Sequence, residues 1–140
     1  MALSTSLAVN LVTPKGVVAQ TDSDSVQAPG ELGEFQLLPG HVPMLAALRS
    51  GVLTIGTKAR SRYAVSGGYL RIDRAGGVEI LVEQAKPVAD INLEAARADL
   101  AASEAALAAW GNKPKDGEYD NLVARASWSR AQVDAKAIVS

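Results

Sequence analysis

The chain has no cysteine, one histidine and only 4% aromatic residues. Without cysteine there is no disulfide, no thiolate nucleophile and no cysteine-ligated metal. One histidine cannot build a histidine-rich metal site in a single chain, and it leaves Ser-His-Asp chemistry with one candidate base, His41. An excess of one charge is missing too. Fourteen basic side chains stand against 15 acidic ones, a net charge of −1, so no global field draws the chain to nucleic acid or anionic lipid. No window reaches the roughly 18 uninterrupted apolar residues that a membrane-spanning helix requires. Met1–Asn10 lacks a basic region followed by a long apolar run, so no secretory signal is expected and the chain reads as cytoplasmic.

What remains is a 140-residue chain that is 48% hydrophobic, enough for one domain with a small appendage and an aliphatic core. Its composition shifts at Pro87–Asn92. Before that point apolar residues alternate: Leu7, Val9 and Leu11; Leu53 and Ile55; Leu70 and Ile72; Val78, Ile80 and Val82. A period of two marks half-buried strands. Turn signals recur at Pro14-Lys15-Gly16, Pro29-Gly30, Pro39-Gly40, Ser50-Gly51, Gly67-Gly68 and Gly76-Gly77, the pattern of a β-sandwich or barrel.

Beyond the shift the period becomes helical. Leu93, Ala96, Leu100, Leu107 and Trp110 share one face, and nine of the seventeen residues 94–110 are alanine, the best helix former. Asn92 is the expected N-cap and Gly111 the expected stop. A loop over residues 111–118 precedes a second helix, from Tyr119 to about Val139, with Leu122, Ala126, Val133 and Ala137 on one face. The expectation is an α+β chain: an antiparallel β-sandwich over residues 1–87, then an antiparallel two-helix hairpin over residues 88–140. Burying alanine gains little free energy, at roughly 25 cal/mol per Å² of apolar surface, so the hairpin is expected to be weakly held.

The stretch Gly30-Glu31-Leu32-Gly33-Glu34-Phe35-Gln36-Leu37-Leu38-Pro39-Gly40-His41-Val42-Pro43 carries three glycines, two prolines and the lone histidine. It reads as a turn, a short strand and a second turn that brings His41 near a surface. This stretch resembles the signature loop of the epsilon subunit of F-type ATP synthases. Ser66-Gly67-Gly68-Tyr69-Leu70, Val78–Val82 with Ala85, and Leu93-Glu94-Ala95-Ala96-Arg97-Ala98 resemble further segments of that family, in the expected order along the whole chain. Gln36 stands where the family usually has glycine.

The resemblance implies a non-catalytic subunit of the rotating central stalk. Its sandwich would bind the gamma subunit and the ring of c subunits, with Glu31, Glu34 and His41 at loop positions facing the ring and stalk. Its hairpin would lie on the sandwich or extend toward the catalytic alpha and beta subunits and block ATP hydrolysis, with Arg125, Arg130 and Lys136 as the inhibitory contact. Some members bind a regulatory ATP through Ile/Leu-Asp-x-x-Arg-Ala. Here Leu93-Glu94-x-x-Arg97-Ala98 has glutamate for aspartate, and Glu94, Arg97 and Arg130 are the residues that would hold it. The implied location is the cytoplasmic face of the plasma membrane, as a peripheral part of the complex.

Plainer readings stand beside these. Glu94 and Arg97, three residues apart on a helix, suit an ordinary surface ion pair. Glu31 and Glu34 suit solvated charges. His41 suits a turn or an interface better than a base. Arg60, Arg62, Arg71 and Arg74 form a small basic cluster, without the stacking aromatics that nucleic acid requires. Trp110 and Trp128 suit hairpin packing, with an exposed Trp128 able to anchor a partner. The rival functions are a stand-alone β-sandwich adaptor with a helical tail and a small hydrolase using His41.

Overall fold

The computed structural model describes residues 6–138. Ten strands come first: β1 (Leu7–Thr13), β2 (Gly16–Ser23), β3 (Val26–Gly30), β4 (Gly33–Leu37), β5 (Met44–Leu48), β6 (Gly51–Ile55), β7 (Ser61–Val65), β8 (Gly68–Ile72), β9 (Gly77–Val82) and β10 (Ala85–Pro87). A 3-10 turn, Val88–Asp90, leads to α1 (Leu93–Ala108) and α2 (Gly117–Ala137). Met1–Thr5 and the expected helix limit at Val139 lie outside the described residues.

The strands form one continuous sheet in the order β10-β7-β6-β3-β5-β8-β9-β1-β2, with β4 paired to β3. It folds over so that the alternating apolar residues meet inside. Leu7, Val9 and Leu11 of β1 lie against Leu53, Ile55, Leu70, Ile72, Val78 and Ile80, all 3% exposed or less. Every pair of strands is antiparallel except one. The first strand enters beside β9 and runs parallel to it, Val9 opposite Val78. An alternating pattern determines which face is buried and leaves strand direction open. The β8–β9 hairpin closes where the sequence signals it: Asp73 Oδ1 accepts from the N–H groups of Ala75 and Gly77.

Asn92 is the N-cap expected, its Oδ1 accepting from Ala95 N–H at 3.0 Å. The second helix begins at Gly117, before the expected Tyr119, because Asp116 Oδ1 accepts from the N–H groups of Glu118 and Tyr119 and caps it there. At the hairpin tip Trp110 is buried, donates from Nε1 to the Lys113 carbonyl and meets Tyr119 edge-on at 5.3 Å.

The second helix differs from its expected pattern. Leu122, Ala126 and Val133 are half-buried, Ala137 is exposed, and the fully buried positions are Ser129, Ala131 and Ala135. This helix has two neighbours, α1 on one side and the outer face of β6 and β7 on the other. The seam with the sheet is a small apolar cluster of its own: Ala64, Ile91, Ala131 and Ala135, rimmed by Val52, Val88 and Trp128. Trp128 therefore packs against the sandwich.

Candidate functional site

The glycine-proline stretch builds the β3–β4 hairpin and the loop to β5. At Leu38-Pro39-Gly40-His41 the chain makes a tight turn, with His41 N–H donating to the Leu38 carbonyl at 3.1 Å and Gly40 at φ 87°. Proline followed by glycine at positive φ is what a type II turn requires. At the other end of β4, a Cβ on Gly30 would stand 2.6 Å from the Gly33 carbonyl and 2.8 Å from the Phe35 ring, so only glycine lets the hairpin close.

The structure does not gather Glu31, Glu34 and His41 into one cluster. Glu31 and fully exposed Leu32 form the β3–β4 tip. His41 lies past the far end of β4, and five strand residues span about 17 Å. Its Nδ1 is 2.8 Å from the Val42 carbonyl, so that nitrogen is the protonated donor. Glu34 points elsewhere again: it lines cavities between the sandwich and the end of α2.

The most prominent apolar surface lies on the outer face of the sheet. In register across five strands run Ala47, Tyr69, Leu81, Val12 and Val17. Tyr69 is 58% exposed, Leu81 48% and Val17 63%. Leu45, 68% exposed, stands in the adjacent row beside the Arg71–Glu79 ion pair at 2.8 Å. Shallow apolar grooves adjoin this row at Pro14–Tyr69 and at Leu32–Leu45. A contiguous patch of this kind marks an interaction surface. The signal in the sequence was Leu81 between Ile80 and Val82, three apolar residues running through a strand so that both of its faces are apolar.

The expected basic cluster divides. Arg71 is held by Glu79 on one face, whereas Arg60 and Arg62 line the seam beneath α2. The expected Glu94–Arg97 pair does not form. Both side chains are exposed, and among the described residues the ion pairs are Arg71–Glu79 and Arg130–Glu104. Arg130 Nη2 lies 3.7 Å from Glu104 Oε2, which sets it opposite a point seven residues, or about 10 Å, along α1 from Arg97. Glu94, Arg97 and Arg130 thus do not converge on one ligand in this conformation. Arg125 is exposed, and Lys136 Nζ donates to the Val88 carbonyl at 3.0 Å.

One titratable group shifts clearly. The Thr57 hydroxyl, and with it the Thr57 N–H, donates to the Asp24 carboxylate and holds its pKa below the usual aspartate value.

Comparison with known proteins bears on the whole chain. The family model described as ATP synthase, Delta/Epsilon chain, beta-sandwich domain matches residues 6–88. The chain is 39% identical over 118 residues to the ATP synthase epsilon chain of Geobacter metallireducens, covering 84% of this chain and 83% of the relative. It is 35% identical over 136 residues to that of Geobacter sulfurreducens, covering 96% and 98%. Among solved structures, a chain of the Euglena gracilis mitochondrial ATP synthase in rotational state 1 aligns with a TM-score of 0.79 at 18% identity, covering 94% of this chain and 81% of that one. A chain of the Tetrahymena thermophila mitochondrial ATP synthase central stalk and c-ring structure aligns at 0.62 with 20% identity, covering 97% and 99%. At these identities the structures speak to the fold.

Proposed function

The chain belongs to the family of ATP synthase epsilon chains, and on that premise we propose that it is a central-stalk subunit of an F-type ATP synthase, without catalytic residues of its own. The sandwich serves as a rigid block that couples rotation of the c ring to the gamma subunit. The hairpin serves as a movable restraint on ATP hydrolysis, reaching the alpha and beta subunits when it leaves the sandwich. The apolar row from Ala47 to Val17 is the surface that gamma covers, and the Glu31–Leu32 tip and the His41 turn are the surfaces turned toward the ring. Arg125 and Arg130 serve as the inhibitory contact, joined by Lys136 once it leaves the Val88 carbonyl. The complex sits at the cytoplasmic face of the plasma membrane, and this chain is peripheral there. Among its described residues no helix is long and apolar enough to cross a membrane.

The observation that carries this reading is the existence of two separate cores. Fifteen buried apolar residues bind the strands together, whereas the hairpin rests on the sheet through the small Ala64–Ile91–Ala131–Ala135 cluster. The fully buried side chains that α2 contributes there are alanine methyl groups, Ala131 and Ala135, which stabilise far less than leucines would, so the hairpin can detach while the sandwich stays folded. A ligand or rotational state biases its position only through contacts that differ between the two positions.

Truncation after Asp90 tests the proposal, since it keeps β10 paired with β7. The reconstituted enzyme should still synthesise ATP and should hydrolyse it faster than with the full chain. Hydrolysis unchanged by the truncation removes the inhibitory role. Failure of the full chain to join gamma removes the stalk role.

A further inference from the structure

The hairpin is held at two places by different groups. At its seam with the sheet, the fully buried side chains of α2 are the methyl groups of Ala131 and Ala135. At its tip, Gly111 at φ 68° turns the chain back after α1, and Asp116 caps the start of α2. Two rings close on each other across this turn. Trp110 is 8% exposed, and its Nε1 donates to the Lys113 carbonyl at 3.1 Å. Its ring meets that of Tyr119 edge-on, with 5.3 Å between the centres. Lys113 Nζ lies 4.5 Å from the centre of the Trp110 ring, and Lys115 Nζ 5.2 Å from that of Tyr119. Both cations are within reach of the ring faces.

A buried indole removes far more apolar surface from water than a methyl group does. The first helix packs chiefly on α2 rather than on the sheet. The ion pair between the helices, Arg130–Glu104 at 3.7 Å, has both side chains more than half exposed and adds little. Tyr119 lies twelve residues, about 18 Å, along α2 from Ala131. Whatever parts the seam therefore leaves the contacts of the tip in place.

We propose that the tip is a second latch, separate from the seam. When α2 leaves the sheet, Trp110, Tyr119 and Lys113 keep the two helices clipped, and the hairpin swings as one closed body about the Val88–Asn92 link. It opens into a longer arm only when the two rings part, which is a distinct step. The latch rests on the movable hairpin proposed above, and it sets how far that hairpin reaches. Closed, it extends about 32 Å, the length of α2; with both helices end to end it would extend about 56 Å.

The test is spin-label distance measurement on the full chain, whose lack of cysteine lets labels be placed in pairs at exposed positions. Lys58→Cys with Ser127→Cys reports docking of α2 on the sandwich. Ala98→Cys with Ser127→Cys reports pairing of the helices, at under about 20 Å when closed and up to about 43 Å when in line. Ala131→Glu with Ala135→Glu puts two carboxylates into the seam and should part it. The first distance should then lengthen while the second stays short. Adding Trp110→Ala with Tyr119→Ala should lengthen the second as well, at unchanged helix content by circular dichroism. Tyr119→Phe in their place keeps both rings and should leave the pair closed. The latch is overturned if the helices separate with both rings present, or stay paired with both removed. Lengthening that comes with a fall in helix content also overturns it, by making the rings part of helix folding. A Lys58–Ser127 distance unmoved by the two glutamates overturns the movable hairpin itself, and the latch with it.

Discussion

Arg62 Nη1 donates to the carbonyl oxygen of Ile138 at 3.2 Å, joining β7 to the end of α2 across 76 positions of sequence. The carbonyls at a helix C-terminus have no partner within the helix, so this arginine both caps α2 and tethers it. Lys136 makes a second tether, to the Val88 carbonyl.

Replacing Arg62 with alanine should loosen the last turns of α2 and leave the sandwich untouched. The expected cost is about 1 kcal/mol, the net worth of one hydrogen bond. Hydrogen exchange should speed up over residues 131–138 and stay unchanged in β1, β8 and β9. Faster exchange throughout would show that the hairpin and sandwich unfold together.

Ala135 is fully buried in the seam beside Ala64. Ala135→Leu should overfill it at a cost of about 1–3 kcal/mol, enough to shift the hairpin off the sheet. Trp128 lies in the same seam, so its emission should move to longer wavelength in a background where Trp110 is phenylalanine. In the assembled enzyme the same variant should inhibit hydrolysis more strongly. Stronger packing and a bluer Trp128 would contradict the weak-seam reading.

On the outer face of the sheet, Tyr69→Asp together with Leu81→Asp should leave thermal stability within about 1 kcal/mol, because both side chains already face solvent. Co-purification with the gamma subunit should fall at least about tenfold, since charge would enter the centre of an apolar contact. Retained co-purification would move the interface elsewhere on the sandwich.

Asp24 joins the β2–β3 corner to the segment after β6 through Thr57. Its folded pKa is depressed, chiefly by the hydrogen bond from the Thr57 hydroxyl. A group lowered in this way stabilises the fold above its unfolded pKa, and that contribution is lost as pH falls through the folded value. Asp24→Asn should therefore lower the melting temperature at pH 7, and the gap from the parent should close in acid below the unfolded value of 3.8. A gap that is constant with pH would mean that packing, rather than charge, is responsible.

Much of the sandwich was legible because burial obeys a period of two. Leu7, Val9 and Leu11, or Val78, Ile80 and Val82, reveal their inward face without knowledge of a partner. The Asn92 cap and the Pro39-Gly40 turn were legible for a related reason, since each depends on interactions within four residues. The candidate docking row was only half legible. Leu81 signals an apolar outer face, but nothing near Val12, Val17 or Tyr69 says that they stand beside it.

The order of residues alone therefore determined the change from strands to helices after Pro87, most turns, the Asn92 cap, and the family to which the chain belongs, because each is written in local periodicity or in a contiguous motif. Assembly in three dimensions decided the rest. It set β1 parallel to β9, turned one face of α2 onto β6 and β7, separated Glu31 from His41, and brought Arg62 to Ile138. Pairings between distant segments are chosen by the best joint burial and hydrogen bonding of the whole chain, and no single segment carries that information.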